Sequence, residues 1–80
     1  MNAAELRAAI LAALGEIAPE AELDRLAGDA PLRDTLDLDS IDFLRFLQRL
    51  AASTGVEVPE ADYARVATLD ACIAYFGART

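Results

Sequence analysis

The sequence holds 80 residues, of which 55% are apolar and 26% charged. This balance indicates one small globular domain that spans residues 1–80. It has no histidine and no lysine, which excludes Ser-His-Asp and Cys-His nucleophiles, the usual zinc sites, Schiff bases and P-loops. The net charge of −7 argues against a nucleic-acid partner, and so small a chain with so few catalytic residue types is not expected to be an enzyme.

The first predicted helix covers residues 4–17, and Pro19 marks its end. Apolar residues recur along it at helical spacing and form one stripe, made of Leu6, Ile10, Ala13, Leu14 and Ile17. A stripe of this kind indicates that one face of the helix packs on a core.

Residues 18–38 are expected to form a long, acidic connection. Leu23 and Leu26 fit one short helical turn, and three further leucines can anchor the connection to the core: Leu32, Leu36 and Leu38. Eight acids and two arginines lie between residues 20 and 42, a net charge of −6 that is nearly the charge of the whole chain. We therefore expect a basic partner for this acidic segment, residues 20–42.

The second predicted helix covers residues 40–53 and ends at Gly55. Asp39 can cap it, and Asp42 three residues later completes a capping-box-like pattern. Five apolar residues are assigned to one broad face of this helix: Phe43, Leu44, Phe46, Leu47 and Leu50. Ile41 falls among the polar residues of the other side, so we expect its side chain to be exposed.

Two further helices are predicted after Pro59, the first of them short and near residues 60–65. Thr68 can cap the last helix, which stops at Gly77 and has the apolar stripe Leu69, Cys72, Ile73 and Phe76. Its position on that stripe predicts that Cys72 lies in the core. The sequence thus predicts an all-α fold, a small irregular four-helix bundle with three longer helices, a short third helix and a long first loop.

No targeting or membrane-spanning signal is apparent. A basic region followed by an apolar run is missing at the N-terminus, and no apolar run approaches the roughly 20 residues that a membrane span needs. Cys72 is the single cysteine, so no intrachain disulfide can form. We therefore expect a cytoplasmic protein, and a monomer.

The segment Asp37 to Leu44 places Ser40 in the first turn of the second helix, directly after the acidic loop. A phosphate ester on this serine would meet free backbone N–H groups and the positive end of the helix dipole. Serine is also common at this position as a simple capping or first-turn residue, and helix chemistry alone favours that interpretation. The nearby carboxylates could hold a divalent cation during phosphate transfer.

A calcium-binding loop is excluded for the same segment. Asp37 and Asp39 match the first two ligands of such a loop, but Ile41 stands where the third is needed. Asp42 replaces the required glycine, and Gln48 replaces the final glutamate. No metal site is therefore predicted.

Asp39-Ser40-Ile41 resembles the phosphopantetheine attachment motif of acyl carrier proteins, Asp-Ser-Leu/Ile at the start of the second helix. The resemblance extends over nearly the whole chain. Val58-Pro59-Glu60-Ala61-Asp62 is similar to the short third helix of that family, and Val66-Ala67-Thr68-Leu69 with Ala74-Tyr75-Phe76 to its fourth. The order of elements and the long acidic first loop agree as well.

This resemblance implies a freestanding acyl carrier protein with a covalent phosphopantetheine arm on Ser40, whose thiol holds acyl groups as thioesters. A separate phosphopantetheinyl transferase would attach the arm from coenzyme A with magnesium, so Ser40 is a substrate and not a catalytic nucleophile. Acyl-loading and acyl-using enzymes would be the further partners. The resemblance also implies that Asp39 helps the transfer, that Ile41 is read by partner enzymes, and that Asp42 belongs to the recognition surface.

One departure from the family concerns the exposed side of the second helix. Typical fatty-acid carriers continue there with glutamates, whereas this chain has Arg45, Gln48 and Arg49. Arg45 and Arg49 are therefore predicted to select partners in a specialised fatty-acid, polyketide or lipid pathway. An aminoacyl or peptidyl carrier stays open, although the sequence before Ser40 lacks the glycine pair often seen there. A helical adaptor without a prosthetic group is the remaining alternative.

Overall fold

Helices alone make up the computed structural model, which describes residues 1–80 and contains no strand. The all-α prediction is therefore confirmed. In chain order the elements are α1 (Ala3–Ile17), a 3₁₀ turn (Leu23–Arg25), α2 (Leu32–Thr35), α3 (Ser40–Thr54), a 3₁₀-helix (Glu60–Val66) and α4 (Leu69–Gly77). None of these helices is both long and apolar enough to cross a membrane.

α1 begins one residue earlier than predicted because Asn2 caps it. The Asn2 side chain accepts a hydrogen bond from the Glu5 N–H at 2.8 Å, and the Glu5 carboxylate accepts one from the Asn2 N–H at 2.9 Å. This reciprocal pair satisfies two donors that the first turn would otherwise leave free. The predicted stripe faces the core, with only Ile17 half-buried at its end.

The core lies where α1 packs on α3 and α4, and where α4 packs on the 3₁₀-helix. Phe46 of α3 and Phe76 of α4 are its largest fully buried side chains. Every buried side chain is hydrophobic, so no charge has to be compensated inside the bundle. The stability of the fold therefore rests on apolar burial, most of it along α1, α3 and α4.

Two side chains differ from the sequence prediction. Leu44, assigned to the apolar face of α3, is 43% exposed. It lies about 100° around the helix from Phe43, beyond the edge that the neighbouring helices cover. Tyr75 was not assigned to the stripe of α4, yet it is buried. Its hydroxyl donates to Asp62 at 2.7 Å and the Arg79 guanidinium lies 3.6 Å from its ring centroid, so both ends of the amphipathic side chain have partners.

The long connection before α3 is more ordered than a loop. Its 3₁₀ turn matches the expected turn at Leu23 and Leu26, but α2 was not predicted. Leu32 and Leu38 are buried and Leu36 is half-buried, which confirms the three leucines as anchors.

The connection is also held from outside. The Leu32 N–H donates to the Ala67 carbonyl at 2.9 Å, and the Asp70 N–H donates to the Gly28 carbonyl at 3.0 Å. The Asp70 carboxylate occupies the space that a Cβ on Gly28 would fill, so glycine permits this close approach. We call these two hydrogen bonds the α4 clip, since they fix the connection to the start of α4.

The C-terminal half agrees with prediction. The short third helix is a 3₁₀-helix one residue longer than expected, and α4 ends at Gly77. The Thr68 hydroxyl caps α4 by accepting from the Ala71 N–H at 3.0 Å. Cys72 is fully buried, as expected from its place on the stripe.

Candidate functional site

The backbone before α3 makes a tight turn. Asp37 has a φ of 54°, in the left-handed region that few residues other than glycine adopt readily. This conformation reverses the chain, and the Leu38 N–H then donates to the Arg33 carbonyl at 2.8 Å. Leu38 inserts its side chain into the core, so the next residues, Asp39 and Ser40, are held at the surface at a fixed position.

Ser40 is the first residue of α3, and its side chain is exposed. Asp39 caps the helix: its carboxylate accepts from the Asp42 N–H at 2.8 Å, and the Asp42 carboxylate accepts from the Asp39 N–H at 3.3 Å. The predicted capping box is thus confirmed. Because Asp39 performs the capping, the Ser40 hydroxyl is not needed for it and stays available for chemistry.

Arg33 lies beside Ser40 and was not among the site residues predicted from the sequence. Its Nη2 donates to the Ser40 hydroxyl oxygen at 3.2 Å, and its Nε donates to the Leu38 carbonyl at 3.5 Å. The guanidinium carbon is 5.9 Å from the centroid of the Phe43 ring. The only signal in the sequence was that Arg33 is one of two arginines in the acidic segment.

An open groove of about 420 Å³ adjoins this arginine. Its lining is mostly apolar and comes from α2, α3 and the 3₁₀-helix: Pro31, Arg33, Asp34, Leu38, Phe43, Tyr63, Ala64 and Ala67. Phe43 and Tyr63 meet edge to face at a centroid distance of 5.9 Å and form one wall. Such a groove can receive a slender, largely apolar chain that starts near Ser40.

The exposed side of α3 combines apolar and basic groups. Ile41 is 63% exposed, as predicted, and Leu44 one turn later is exposed beside it. Arg45 is exposed and makes no salt bridge, whereas Arg49 pairs with Glu16 of α1 at 3.4 Å. Of the two arginines assigned to partner selection, only Arg49 is paired with a carboxylate within the chain.

No group of three or more carboxylate, histidine or cysteine side chains is close enough to hold a metal ion. Asp39 and Asp42 are both engaged with backbone N–H groups at the helix start. A cation used in phosphate transfer would therefore need most of its ligands from the transferase and from coenzyme A.

The family model for the phosphopantetheine attachment site matches residues 4–76. The chain belongs to this family. The resemblance drawn from the sequence is thus confirmed, and phosphopantetheine is the covalent cofactor of this carrier domain. No curated protein matched the chain.

The surroundings of Ser40 fit that cofactor. An exposed hydroxyl stands at a helix N-terminus, and the arginine that donates to it also lines the groove. A phosphodiester needs hydrogen-bond donors and positive potential, and both are present. When bound, phosphopantetheine supplies a thiol that carries cargo as a thioester.

The carrier domain's own thiol does not compete with that of the arm. Cys72 is buried, and desolvation raises the pKa of its thiol to about 12. The Sγ–H donates to the Val66 carbonyl at 3.4 Å. Cys72 is therefore protonated and unreactive at neutral pH.

Proposed function

We propose that this protein is an acyl carrier, not an enzyme, and that its phosphopantetheine arm is attached to Ser40. The observation that carries the proposal is the exposed Ser40 hydroxyl at the start of α3, which accepts a hydrogen bond from the Arg33 guanidinium. The match to the phosphopantetheine family supports the cofactor. A cytoplasmic, monomeric protein remains part of the proposal, as expected from the sequence.

Attachment makes Ser40 the nucleophile of a transferase reaction. The Ser40 oxygen forms a bond to the phosphorus that bears pantetheine, the pyrophosphate bond of coenzyme A breaks, and the nucleotide leaves. The serine proton passes to a base of the transferase. On this chain, the hydrogen bond from Arg33 stabilises negative charge that develops on the serine oxygen, since a nearby cation favours the ionised form.

The apolar groove supports acyl cargo over aminoacyl cargo. Phe43, Tyr63 and Leu38 line it, and none of them offers a charged partner for an amino group. The two charged residues of the lining, Arg33 and Asp34, are exposed, so water screens their charges. An aliphatic chain placed there would remove apolar wall surface from water.

Partner enzymes are proposed to read the surface around Ser40. Asp39 and Asp42 present negative charge at the helix start, and Ile41 adds an exposed apolar contact next to the arm. Arg45 and Arg49 place positive charge further along the same helix. This mixed surface suits partners of a specialised fatty-acid, polyketide or lipid pathway better than the basic docking patches that acidic carriers use.

Intact-mass measurement tests the attachment site. The protein is incubated with coenzyme A, magnesium and a broad-specificity phosphopantetheinyl transferase. We expect one added phosphopantetheine on the wild type and on Ser53→Ala, which removes the other serine, and none on Ser40→Ala. Modification of Ser40→Ala would contradict the proposal, and an unmodified wild type would favour the adaptor alternative.

A further inference from the structure

Arg33 is held in place by the backbone around it. The Leu32 N–H donates a hydrogen bond to the Ala67 carbonyl, and the Arg33 carbonyl accepts one from the Leu38 N–H. The side chain is fixed in turn by its Nε hydrogen bond to Leu38 and by the face of the Phe43 ring. A guanidinium restrained on both sides loses little further freedom when it binds a ligand.

The positive charge of Arg33 is not neutralised within the chain. The other arginine of the acidic segment, Arg25, pairs with Glu22 at 3.4 Å. Arg33 makes no salt bridge, although Asp34 is its neighbour in the sequence. Its contacts to Leu38 and Ser40 occupy two of five N–H groups, so three donors remain for an anion.

A phosphate on Ser40 would otherwise sit in an unfavourable field. The nearby acidic residues are Asp34, Asp37, Asp39 and Asp42, all with the same sign of charge as a phosphodiester. The phosphorus would be bonded directly to the Ser40 oxygen, which Arg33 already contacts at 3.2 Å. The non-bridging oxygens are therefore within reach of the same guanidinium, in the geometry that arginine favours for phosphates.

We propose that Arg33 is the phosphate-positioning residue of this carrier, pairing with the phosphodiester on Ser40 and aiming the base of the arm at the adjoining groove. This inference rests on the proposed attachment to Ser40. Arg33 also lines the groove, so the side chain that binds the phosphate is part of the groove wall. The arm then starts from one preferred direction instead of swinging freely from the helix end.

The test compares apo and holo forms of the wild type, Arg33→Gln, Arg33→Lys and Arg25→Gln. Arg25→Gln is the matched control because it removes the same charge from the same acidic segment. Intact mass first establishes full modification of each holo sample. Thermal midpoints of both forms are then measured, together with the ³¹P resonance of the phosphodiester.

We expect the holo-minus-apo difference in thermal midpoint to fall by about 4 °C in Arg33→Gln, a shift typical for loss of one exposed ion pair in a chain of this length. Arg25→Gln should keep the wild-type difference, and Arg33→Lys should restore part of it. The ³¹P resonance should move in Arg33→Gln and stay at the wild-type position in Arg25→Gln. A purely structural role for Arg33 would lower both midpoints equally and leave their difference unchanged.

A measurement on the wild type keeps the inference falsifiable if the variants fold poorly. The side-chain Nε–H signal of Arg33 should shift between apo and holo protein, and that of Arg25 should not. Equal holo-minus-apo differences, or a stationary Arg33 signal, with the arm present on Ser40 would overturn this inference alone. A wild type without the arm on Ser40 would overturn the proposed function and this inference together.

Discussion

Asp39 and Asp42 each accept the other's backbone N–H at the start of α3, at 2.8 and 3.3 Å. Two carboxylates of like charge are thus held one turn apart, next to the residue proposed to receive a phosphate. The helix start offsets this repulsion because its N–H groups and dipole favour negative charge. The pair therefore has a structural function in addition to any contact with a transferase.

Replacing Asp39 can separate these two functions. Asp39→Ala removes the cap and should lower the free energy of unfolding by about 1 kcal/mol, whereas Asp39→Asn should stay within a few tenths because asparagine caps equally well. Both variants lack the charge, so both should be modified more slowly by the transferase. Urea unfolding and the rate of mass increase measure the two effects. Modification of Asp39→Asn at the wild-type rate would show that Asp39 acts only as a helix cap.

The left-handed conformation of Asp37 gives a second prediction. Asp37→Val should lower the free energy of unfolding by about 1–2 kcal/mol, since a β-branched residue is strained at a φ of 54°. Asp37→Gly should be at least as stable as the wild type because glycine adopts this region without strain and one negative charge is removed. Thermal or urea unfolding of the three proteins gives the order. Equal stabilities would mean that the turn reshapes around the new residue.

The sequence was sufficient for the long helices, and the reason is periodicity. Leu6 to Leu14 in α1 and Phe43 to Leu50 in α3 repeat over several turns, and Asn2, Asp39 and Thr68 supply local caps. A four-residue helix such as α2 is shorter than any repeat that periodicity can detect.

The contact of Arg33 with Ser40 was out of reach for a related reason. It spans seven residues across a turn whose shape depends on the positive φ of Asp37. The residue type shows that an aspartate can adopt this conformation, but not that Asp37 adopts it here. The exposure of Leu44 likewise depends on how far neighbouring helices extend around α3, which a helical wheel does not contain.

Salt should stabilise the fold. The acidic segment holds a net charge of −6, and its one internal pair, Arg25 with Glu22, is largely exposed and therefore weak. The screening length falls from about 10 Å at 0.1 M to about 3 Å at 1 M, so sodium chloride should raise the thermal midpoint. Asp24→Asn with Asp29→Asn should reduce this response, whereas Glu57→Gln, outside the segment, should reduce it less. A flat midpoint would show that the carboxylates do not repel one another appreciably.

Arg45 is expected to choose partners without supporting the fold. Arg45→Glu leaves no cavity and breaks no salt bridge, so stability should change by no more than about 0.5 kcal/mol. Acylation of the holo form by a general fatty-acid synthase component should rise about tenfold, because the variant no longer repels basic docking patches. Acylation by the protein's own loading enzyme should fall, because that enzyme is proposed to recognise the positive charge. Arg7→Glu on α1 is the control with the same charge change. Equal rates for both variants would assign partner choice to Ile41 and the acidic segment.

Arg49 needs a separate variant because Glu16 is its partner. Arg49→Glu places two carboxylates together, at a cost that exposure keeps near 0.5 kcal/mol. The double replacement of Arg45 and Arg49 should exceed Arg45→Glu in its effect on acylation. An unchanged rate on adding the second replacement would mean that the salt bridge to Glu16 removes Arg49 from the docking surface.

The buried thiol predicts a clean labelling pattern. Native apo protein should resist iodoacetamide at pH 8, because the pKa of Cys72 is about 12, while the holo form should react once, at the arm. Unfolded apo protein should react once, at Cys72. Labelled sites are identified by peptide mass. Native apo protein that reacts would show that the fourth helix opens readily.

The buried Cys72 thiol predicts that the free energy of unfolding decreases at high pH. Its pKa rises from 9.0 in the unfolded chain to about 12 in the fold, so the unfolded state loses the proton first. The stabilisation is therefore complete below pH 9 and is lost as the pH rises towards 12. Cys72→Ala should flatten this alkaline decline, although the cavity lowers stability at every pH. A decline as steep in the variant as in the wild type would assign it to other groups.

The α4 clip decides where the chain can change in length. Its hydrogen bonds, from Leu32 to Ala67 and from Asp70 to Gly28, fix everything from Gly28 onward to the C-terminal half. The segment from Pro19 to Glu22 is mostly exposed. Residues inserted there would only lengthen the stretch before the hydrogen bond at Gly28. The serine would stay at the same place on the bundle, so insertions and deletions in this family should be tolerated upstream of the clip and rejected between it and Ser40.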